Sequence, residues 1–329
     1  MNELLLVRNL SVSFSAYNGT VLAVRDISFT VYEGETLAMV GESGCGKSVT
    51  AKAIMRLLDR TSARVSPESV VEYRNQNLLT LKKREMNSIR GSDIGMVFQD
   101  AMASLNPTMT VGNQMVETIC KHTKCGKAEA LRRASELLGM VELPEPSETL
   151  RRYPHQLSGG QRQRVMMAMA LSCEPKLLIA DEPTTALDVT IQAEILSLLK
   201  RLQQQLGMSV LLITHDLGVV AGVADRVQVM YGGKLVERGT VSEIFHSPKH
   251  PYTAALLTAI PRKSMEHRSA LYALPGAPPD LRLELNCCPF APRCRYAMPV
   301  CKKAMPTETG GVSCWLRDER APKVELEHE

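Results

Sequence analysis

Eight residues, Gly41, Glu42, Ser43, Gly44, Cys45, Gly46, Lys47 and Ser48, constrain this chain more than any other stretch. They fit the pattern G-x-x-x-x-G-K-[ST] and lie between a short apolar run, ETLAMV (35–40), and a segment, SVTAKAIMRLLDR (48–60), with Ala51, Ile54, Met55 and Leu58 at helical spacing. A strand that enters a helix through glycines makes a turn whose backbone N–H groups point inward with the helix dipole behind them, and such a turn wraps phosphate. Lys47 is placed to reach the β- and γ-oxygens of a nucleotide and Ser48 to offer its hydroxyl to Mg2+. The pattern also occurs by accident in turns, so the flanking strand and helix carry the reading.

The rest of the pattern agrees with an α/β fold. LLLVRNLSVSF and AVRDISFTV alternate, which predicts a β-rich opening over the first 45 residues, and IGMVF (94–98) reads as a further strand. Residues 61–90 are polar and mixed. From about 104 to 165 helical patterns dominate, notably KAEALRRASELLGMV (127–141) and QRQRVMMAMALSC (161–173), which predicts a helical insert. Strand and helix then alternate through KLLIAD (176–181), TIQAEILSLLKRLQQQLG, SVLLITH (209–215) and RVQVMYGGKLVERG (226–239), with Gly232-Gly233 as a hairpin turn; this predicts a parallel sheet. Prolines interrupt any long element from Pro261 onward. With 329 residues, and single cores that stop growing at roughly 250–300, residues 1–262 read as the main body and 263–329 as a separate C-terminal region in need of a staple.

Composition excludes several classes. Hydrophobic residues at 44% and charged ones at 22% rule out a disordered or collagen-like chain, and 39 basic against 35 acidic residues leave a net charge of only +4. Without a basic aromatic stripe, that charge leaves no footprint for nucleic acid. No run approaches the roughly 18 apolar residues of a membrane span, and MNELLLVRNL lacks the regions of an export signal, so a cytosolic or peripheral protein with reduced thiols is expected. Of nine cysteines, five fall between Cys287 and Cys314. Cys288, Cys294, Cys301 and Cys314 are spaced C-x5-C-x6-C-x12-C, unlike the paired C-x2-C of most zinc ribbons. Four thiolates there can hold zinc or an iron–sulfur cluster, or they can be buried free thiols.

A second acidic site complements the phosphate turn. LLIADE (177–182) is an apolar strand ending in two carboxylates: Asp181 can hold Mg2+ through water, and Glu182 can act as general base on an attacking water. Alone, such a pair is a common strand-end feature. LSGGQ at Leu157 to Gln161, ending 20 residues before Asp181, resembles the signature motif of ATP-binding cassette (ABC) proteins. The resemblance implies a cassette over residues 1 to about 260: a RecA-like P-loop core with an antiparallel β subdomain and a helical subdomain. It implies that Gly41 to Ser48 with Val49, Gln99 of the Q-loop and Asp181 bind the nucleotide, that Ser48, Gln99 and Asp181 hold Mg2+, and that Glu182, His215 and Gln99 serve catalysis. Ala186-Leu187-Asp188 matches the D-loop, and Phe14, with Tyr17 second, the adenine-stacking aromatic. Ser158, Gly159, Gly160 and Gln161 start a predicted helix, a second anion-binding terminus. In this family that terminus closes over ATP held by another subunit, so the resemblance implies a head-to-tail pair.

QDAMASLNPTMTVGNQ (99–114), YPHQLSGGQRQRV (153–165), ADEPTTALDVTIQAEIL (180–196) and HSPKHPYTAALLTAIPR (246–262) look like the ATPase subunits of bacterial dipeptide and oligopeptide importers. So does the tail CPFAPRCRYAMPVCKKAMPTETGGVSC. Three positions depart: Ala101 where that group usually has Pro, Ala103 where it has Thr, and Cys287 where it has Gly. The resemblance implies an ATP-driven subunit at the cytoplasmic face of the inner membrane. Its implied partners are a second, different ATPase, two permeases and an extracytoplasmic substrate-binding protein. It also favours a four-iron four-sulfur cluster on the four cysteines. Relatives of this type also carry nickel, glutathione or sugars, and a soluble non-transport ABC ATPase is the reading from another class.

Overall fold

The computed structural model describes residues 2–17, 19–185, 187–260 and 274–326. In chain order the strands and helices are β1 (Glu3–Ala16), β2 (Gly19–Tyr32), β3 (Thr36–Val40), α1 (Lys47–Ile54), β4 (Ala63–Val65), β5 (Val70–Tyr73), β6 (Gln76–Asn77), α2 (Lys83–Ile89), β7 (Ile94–Val97), α3 (Ala101–Ser104), α4 (Val111–His122) and α5 (Lys127–Met140). There follow α6 (Pro146–Thr149), α7 (Gly159–Ala170), β8 (Leu177–Asp181), α8 (Val189–Leu206), β9 (Ser209–Thr214), α9 (Leu217–Val220), β10 (Arg226–Tyr231), β11 (Lys234–Thr240), α10 (Val241–His246) and α11 (Pro251–Thr258). Among the described residues no helix is long and apolar enough to cross a membrane. The chain forms two compact units: a helical unit of Met1–Leu4, Val31–Thr36 and Thr80–Ile213, and a loop unit of Leu5–Thr30, Leu37–Leu79 and Thr214–Glu329.

In the helical unit β7, β8 and β9 run parallel, with Ile94 opposite Leu177 and Leu177 opposite Ser209. Every residue of β8 and β9 is buried, as parallel strands covered on both faces require, and LLIAD and SVLLIT accordingly read as unbroken runs. Residues 98–176 carry α3 to α7 and no strand. Helix α7 reaches β7 through Gly95, where a Cβ would stand 2.5 Å from the Ala170 carbonyl oxygen. Arg164, only 13% exposed, ties α7 to Glu142 and Glu194 at 3.1 Å each.

The loop unit has an antiparallel sheet ordered β2-β1-β5-β6, with β4 also on β1, and a second group ordered β11-β10-β3. Strand β3 runs parallel to β10, and β10 turns back into β11 through Gly232 and Gly233 at φ 57° and 83°, the paired left-handed conformation of a tight hairpin. Two expectations change here. The polar, mixed residues 61–90 hold β4 and β5, which pair with β1, and β6, which pairs with β5; all three are short and leave little periodic signal of their own. Helix α1 stops at Ile54 although apolar spacing continues to Leu58, because Arg56 takes a left-handed φ of 51° and its guanidinium donates to the Leu78 carbonyl at 3.0 Å.

The expected boundary at residue 262 lies outside the described residues. The tail from 274 to 326 has short 3-10 turns rather than long elements, as its prolines dictate. It does not form a core of its own. Cys288, Phe290, Ala291 and Cys301 are buried in one apolar cluster with Val229, Tyr231, Val236, Tyr252 and Leu257. Pro279 and Pro289 close on the hairpin turn, where a Cβ on Gly232 would lie 3.1 and 3.0 Å from them.

Candidate functional site

Strand β3 delivers the phosphate turn at Gly41, where φ is 156° and a Cβ would stand 2.1 Å from the Met230 carbonyl oxygen. At Gly46, φ 109°, a Cβ would meet the Ala23 carbonyl at 2.4 Å. Side chains are therefore excluded at both positions by backbone packing. Gly44 also has positive φ, and Cys45 is buried with its thiol pushed up by desolvation. Lys47 is 4% exposed, and its ammonium donates to the carbonyls of Gly41 at 2.7 Å and Glu42 at 3.0 Å. A buried cation is thus held across the turn by two neutral acceptors, a charge with no carboxylate on these bonds. Ser48 and Val49 follow in the first turn of α1.

In the same unit Phe14 is half-buried near the end of β1, opposite Ala63, and Tyr17 is fully exposed. His215 is exposed immediately after β9.

The helical unit brings Gln99 and Glu182 together. Asp181, 1% exposed, ends β8. At Glu182 the backbone turns into the left-handed region, φ 46°, with its N–H donating to Ile213 at 2.9 Å, a strained geometry of the kind found at functional sites. Its Oε2 accepts from Gln99 Nε2 at 3.0 Å and from Thr185 Oγ1 at 2.8 Å. The amide oxygen of Gln99 is the part of that side chain left for a cation. Hydroxyl, amide oxygen and carboxylate, the donors of Ser48, Gln99 and Asp181, are the hard ligands that Mg2+ takes.

Helix α7 starts at the predicted signature. Ser158 is its N-cap: the hydroxyl accepts from Gln161 N–H at 3.3 Å while Gln161 Oε1 accepts from Ser158 N–H at 3.0 Å. Gly159 and Gly160 lie where a Cβ would meet Leu187 at 3.3 Å and Ile191 at 2.9 Å. Of the predicted D-loop, Ala186 lies outside the described residues, and Asp188 caps α8 through Ile191 N–H at 3.0 Å. Ala101 and Ala103 belong to α3, capped by Asp100; Gln99, Asp100, Met102, Arg162 and Leu187 border a cavity of about 470 Å³.

Residues 24–185 match the model of the ABC transporter family, and residues 236–301 match that of the oligopeptide/dipeptide transporter C-terminal region. The dipeptide transport ATP-binding protein DppD of Bacillus subtilis is 53% identical over 99% of this chain and 98% of its own length. The oligopeptide transport ATP-binding protein OppD of the same organism is 50% identical over 99% of this chain and 92% of its own. The chain belongs to the ABC ATPases of the dipeptide and oligopeptide transporter family. Among solved structures, the dimeric ATP-binding cassette MJ0796 in a post-hydrolysis state with ADP and Pi aligns with a TM-score of 0.64, at 30% identity over 72% of this chain and 98% of that one. The expected cassette fold is therefore present, and the protein is an ATPase acting on ATP with Mg2+.

In this ABC ATPase the four tail cysteines are near neighbours. Burial pushes the Cys314 thiol up to about 12, against the Leu316 N–H and with a smaller push from Cys288, Cys294 and Cys301, and burial pushes Cys288 up to about 11. Sulfur also receives backbone N–H donors: Phe290 and Ala291 on Cys288, Tyr296 on Cys294, Leu316 on Cys314. These donors favour the thiolate, whereas burial, the larger effect, favours the neutral thiol. Among the described residues, however, no three His, Cys, Asp or Glu side chains are gathered at metal-ligating geometry. Cys287 is half-buried beside them.

Two residues of the site were not singled out from the sequence. Tyr252 accepts the Glu42 N–H at 2.9 Å through its hydroxyl, and Arg293 binds the Glu42 carboxylate. The available signals were an aromatic in HPYTAALL and an arginine beside the cysteines.

Proposed function

We propose that this chain is one of the two ATPase subunits of a bacterial importer of di- or oligopeptides. The observation that carries the reading is the 53% identity to a dipeptide transport ATP-binding protein over nearly the whole of both chains, with the C-terminal region included. On this reading it sits at the cytoplasmic face of the inner membrane on two permeases, paired with a second, different ATPase, while an extracytoplasmic binding protein delivers cargo. A glutathione importer is the second reading: the glutathione import ATP-binding protein GsiA of Escherichia coli is 53% identical over 79% of this chain, which spans 42% of that protein.

The residues divide the work as follows. Backbone N–H groups of Gly41 to Ser48 wrap the phosphates, and Lys47 exchanges its two carbonyl partners for β- and γ-oxygens. Phe14, or Tyr17 beyond it, stacks on adenine. Glu182, oriented by Gln99 and Thr185, takes the proton of the attacking water, and His215 contacts the γ-phosphate. Ser48, Gln99 and Asp181 would hold Mg2+, which would neutralise charge on the phosphates. Ser158, Gly159, Gly160 and Gln161 close over the ATP of the partner ATPase, excluding water. Cys288, Cys294, Cys301 and Cys314 are the residues that would hold a four-iron four-sulfur cluster; anaerobically purified protein with neither iron nor sulfide contradicts this.

The test is a gentle detergent pull-down of the tagged protein from its own membranes, with every co-purifying chain identified. Two polytopic proteins and a second ATPase are expected, and a soluble single species refutes the transport reading. In the assembled transporter Glu182→Gln is expected to keep ATP binding and to lose turnover by about 100-fold or more, the usual contribution of a general base. Lys47→Ala is expected to lose nucleotide affinity in a titration.

A further inference from the structure

The phosphate turn carries one acidic side chain, Glu42. A carboxylate in a turn built to hold polyphosphate adds like charge to the ligand it must bind, unless something neutralises it. Arg293 does so as a fork: Nη1 donates to one Glu42 oxygen at 2.7 Å and Nη2 to the other at 3.0 Å. The remaining N–H donors of the guanidinium are also used, on Tyr231 Oη at 3.1 Å, the Leu274 carbonyl at 3.3 Å and the Pro275 carbonyl at 2.9 Å. All five donors of the group are therefore bound, three of them on groups that only fix where the fork points. The Arg293 side chain is 5% exposed against 25% for Glu42, so the arginine is the rigid partner and the turn is what it holds. Gly276, at φ 79°, closes the cradle; a Cβ there would lie 3.3 Å from Arg293 Cγ.

We infer that Arg293 is a positioning residue for nucleotide binding: it neutralises Glu42 and fixes the start of the phosphate turn, so that affinity for MgATP depends on the folded C-terminal tail. This rests on the reading of Gly41 to Ser48 as the nucleotide site. Arg293 lies in the 3-10 turn Ala291–Arg293, between Cys288 and Cys294, so what orders or disorders the cysteine segment reaches the carboxylate of the turn through this ion pair. A guanidinium with its charge and geometry both committed is not replaced by lysine, which has no fork.

The experiment titrates MgATP and MgADP into the full-length wild type, Arg293→Met, Arg293→Lys, Glu42→Gln and the Glu42→Gln/Arg293→Met double variant. Arg293→Met is expected to weaken MgATP binding about tenfold, or about 1.4 kcal/mol, and MgADP less, because ADP brings one negative charge fewer. The double variant is expected to recover to within about threefold of wild type, since the uncompensated carboxylate is gone. A double variant as weak as Arg293→Met overturns the inference, because a tail that serves folding alone is not rescued by neutralising Glu42. Unchanged binding by Arg293→Met overturns it as well. If Arg293→Met does not fold, Arg293→Lys and Glu42→Gln/Arg293→Lys take its place: Arg293→Lys, which loses the fork, is expected to bind MgATP more weakly than wild type and the double variant to recover, whereas a double variant as weak as Arg293→Lys, or a loss equal for MgATP and MgADP, overturns the inference. Lys47→Ala is titrated alongside. Should it bind like wild type, the nucleotide site itself fails, not the role of Arg293.

Discussion

Replacing Phe290 by alanine tests whether the tail shares its core with the ATP-binding loop unit. The side chain is 2% exposed. Its ring stands 5.3 Å from that of Tyr231, edge-on at 86°, 5.3 Å from Tyr252 and 5.9 Å from His250. Truncating a buried phenylalanine costs about 3–5 kcal/mol. Aromatic contacts contribute about 0.5–1.5 kcal/mol each beyond the buried area, which places this site near the middle or above. We expect a loss of about 4 kcal/mol, which at a urea dependence of about 2 kcal/mol/M moves the midpoint down by about 2 M. The single tryptophan, Trp315, packs against the same cluster and donates its Nε1–H to the Ala304 carbonyl at 3.0 Å, so its fluorescence reports the tail. Circular dichroism reports the whole chain. Since Tyr252 accepts the Glu42 N–H, the variant should also bind MgATP more weakly than wild type. A tryptophan midpoint that moves by less than about 0.5 M would refute the packing argument. A shifted tryptophan transition with unchanged MgATP affinity would refute the connection to the turn.

Two further outcomes follow from local geometry. His250 is wholly buried, and desolvation holds its pKa down at about 3; Nδ1 accepts the Tyr252 N–H at 3.0 Å and Nε2 has no hydrogen-bond partner among the described residues. An unfolded histidine titrates near about 6.5, so below that pH the unfolded chain binds the extra proton and stability falls as pH drops toward 3, with no effect above 6.5. His250→Asn keeps a capping acceptor and removes the titration, so the pH slope of unfolding free energy between pH 6.5 and 4.5 should flatten; a slope like that of wild type contradicts the assignment. Gly95→Ala places a Cβ 2.5 Å from the Ala170 carbonyl and should cost about 1–3 kcal/mol by pushing α7 off β7. Equal urea midpoints would show that α7 yields freely.

What could be read in the sequence was what local chemistry determines. The phosphate turn, the Gly232-Gly233 hairpin, the buried runs of β8 and β9 and the capping residues of α7 each announce themselves within a few positions. The short strands β4 and β5 did not, because their pairing with β1 lies some 50 to 70 residues away and they carry little alternation, and β6, two residues long, only pairs with β5. The premature end of α1 depends on a carbonyl at Leu78 that no helical period reveals. The tail's prolines and sparse apolar residues marked it as lacking a core of its own, but not that Phe290 joins a core begun by Tyr231 and Tyr252, because those contacts lie far along the chain. Arg293 and Glu42 are 251 positions apart, and charge pairing at that range leaves no pattern in a single sequence.

That separation also orders events during synthesis. Residues 36–54 leave the ribosome long before β10, the strand that pairs with β3, and the carboxylate of the turn waits longer still, for an arginine made 251 residues after it. At about 5–20 residues per second the interval is roughly 12 to 50 s. During it Glu42 has no arginine to neutralise it, so on the inference drawn above the turn reaches its full affinity for MgATP only once the tail has been made and folded. On that inference the ion pair ties the last step in nucleotide affinity to chains that carry their cysteine segment.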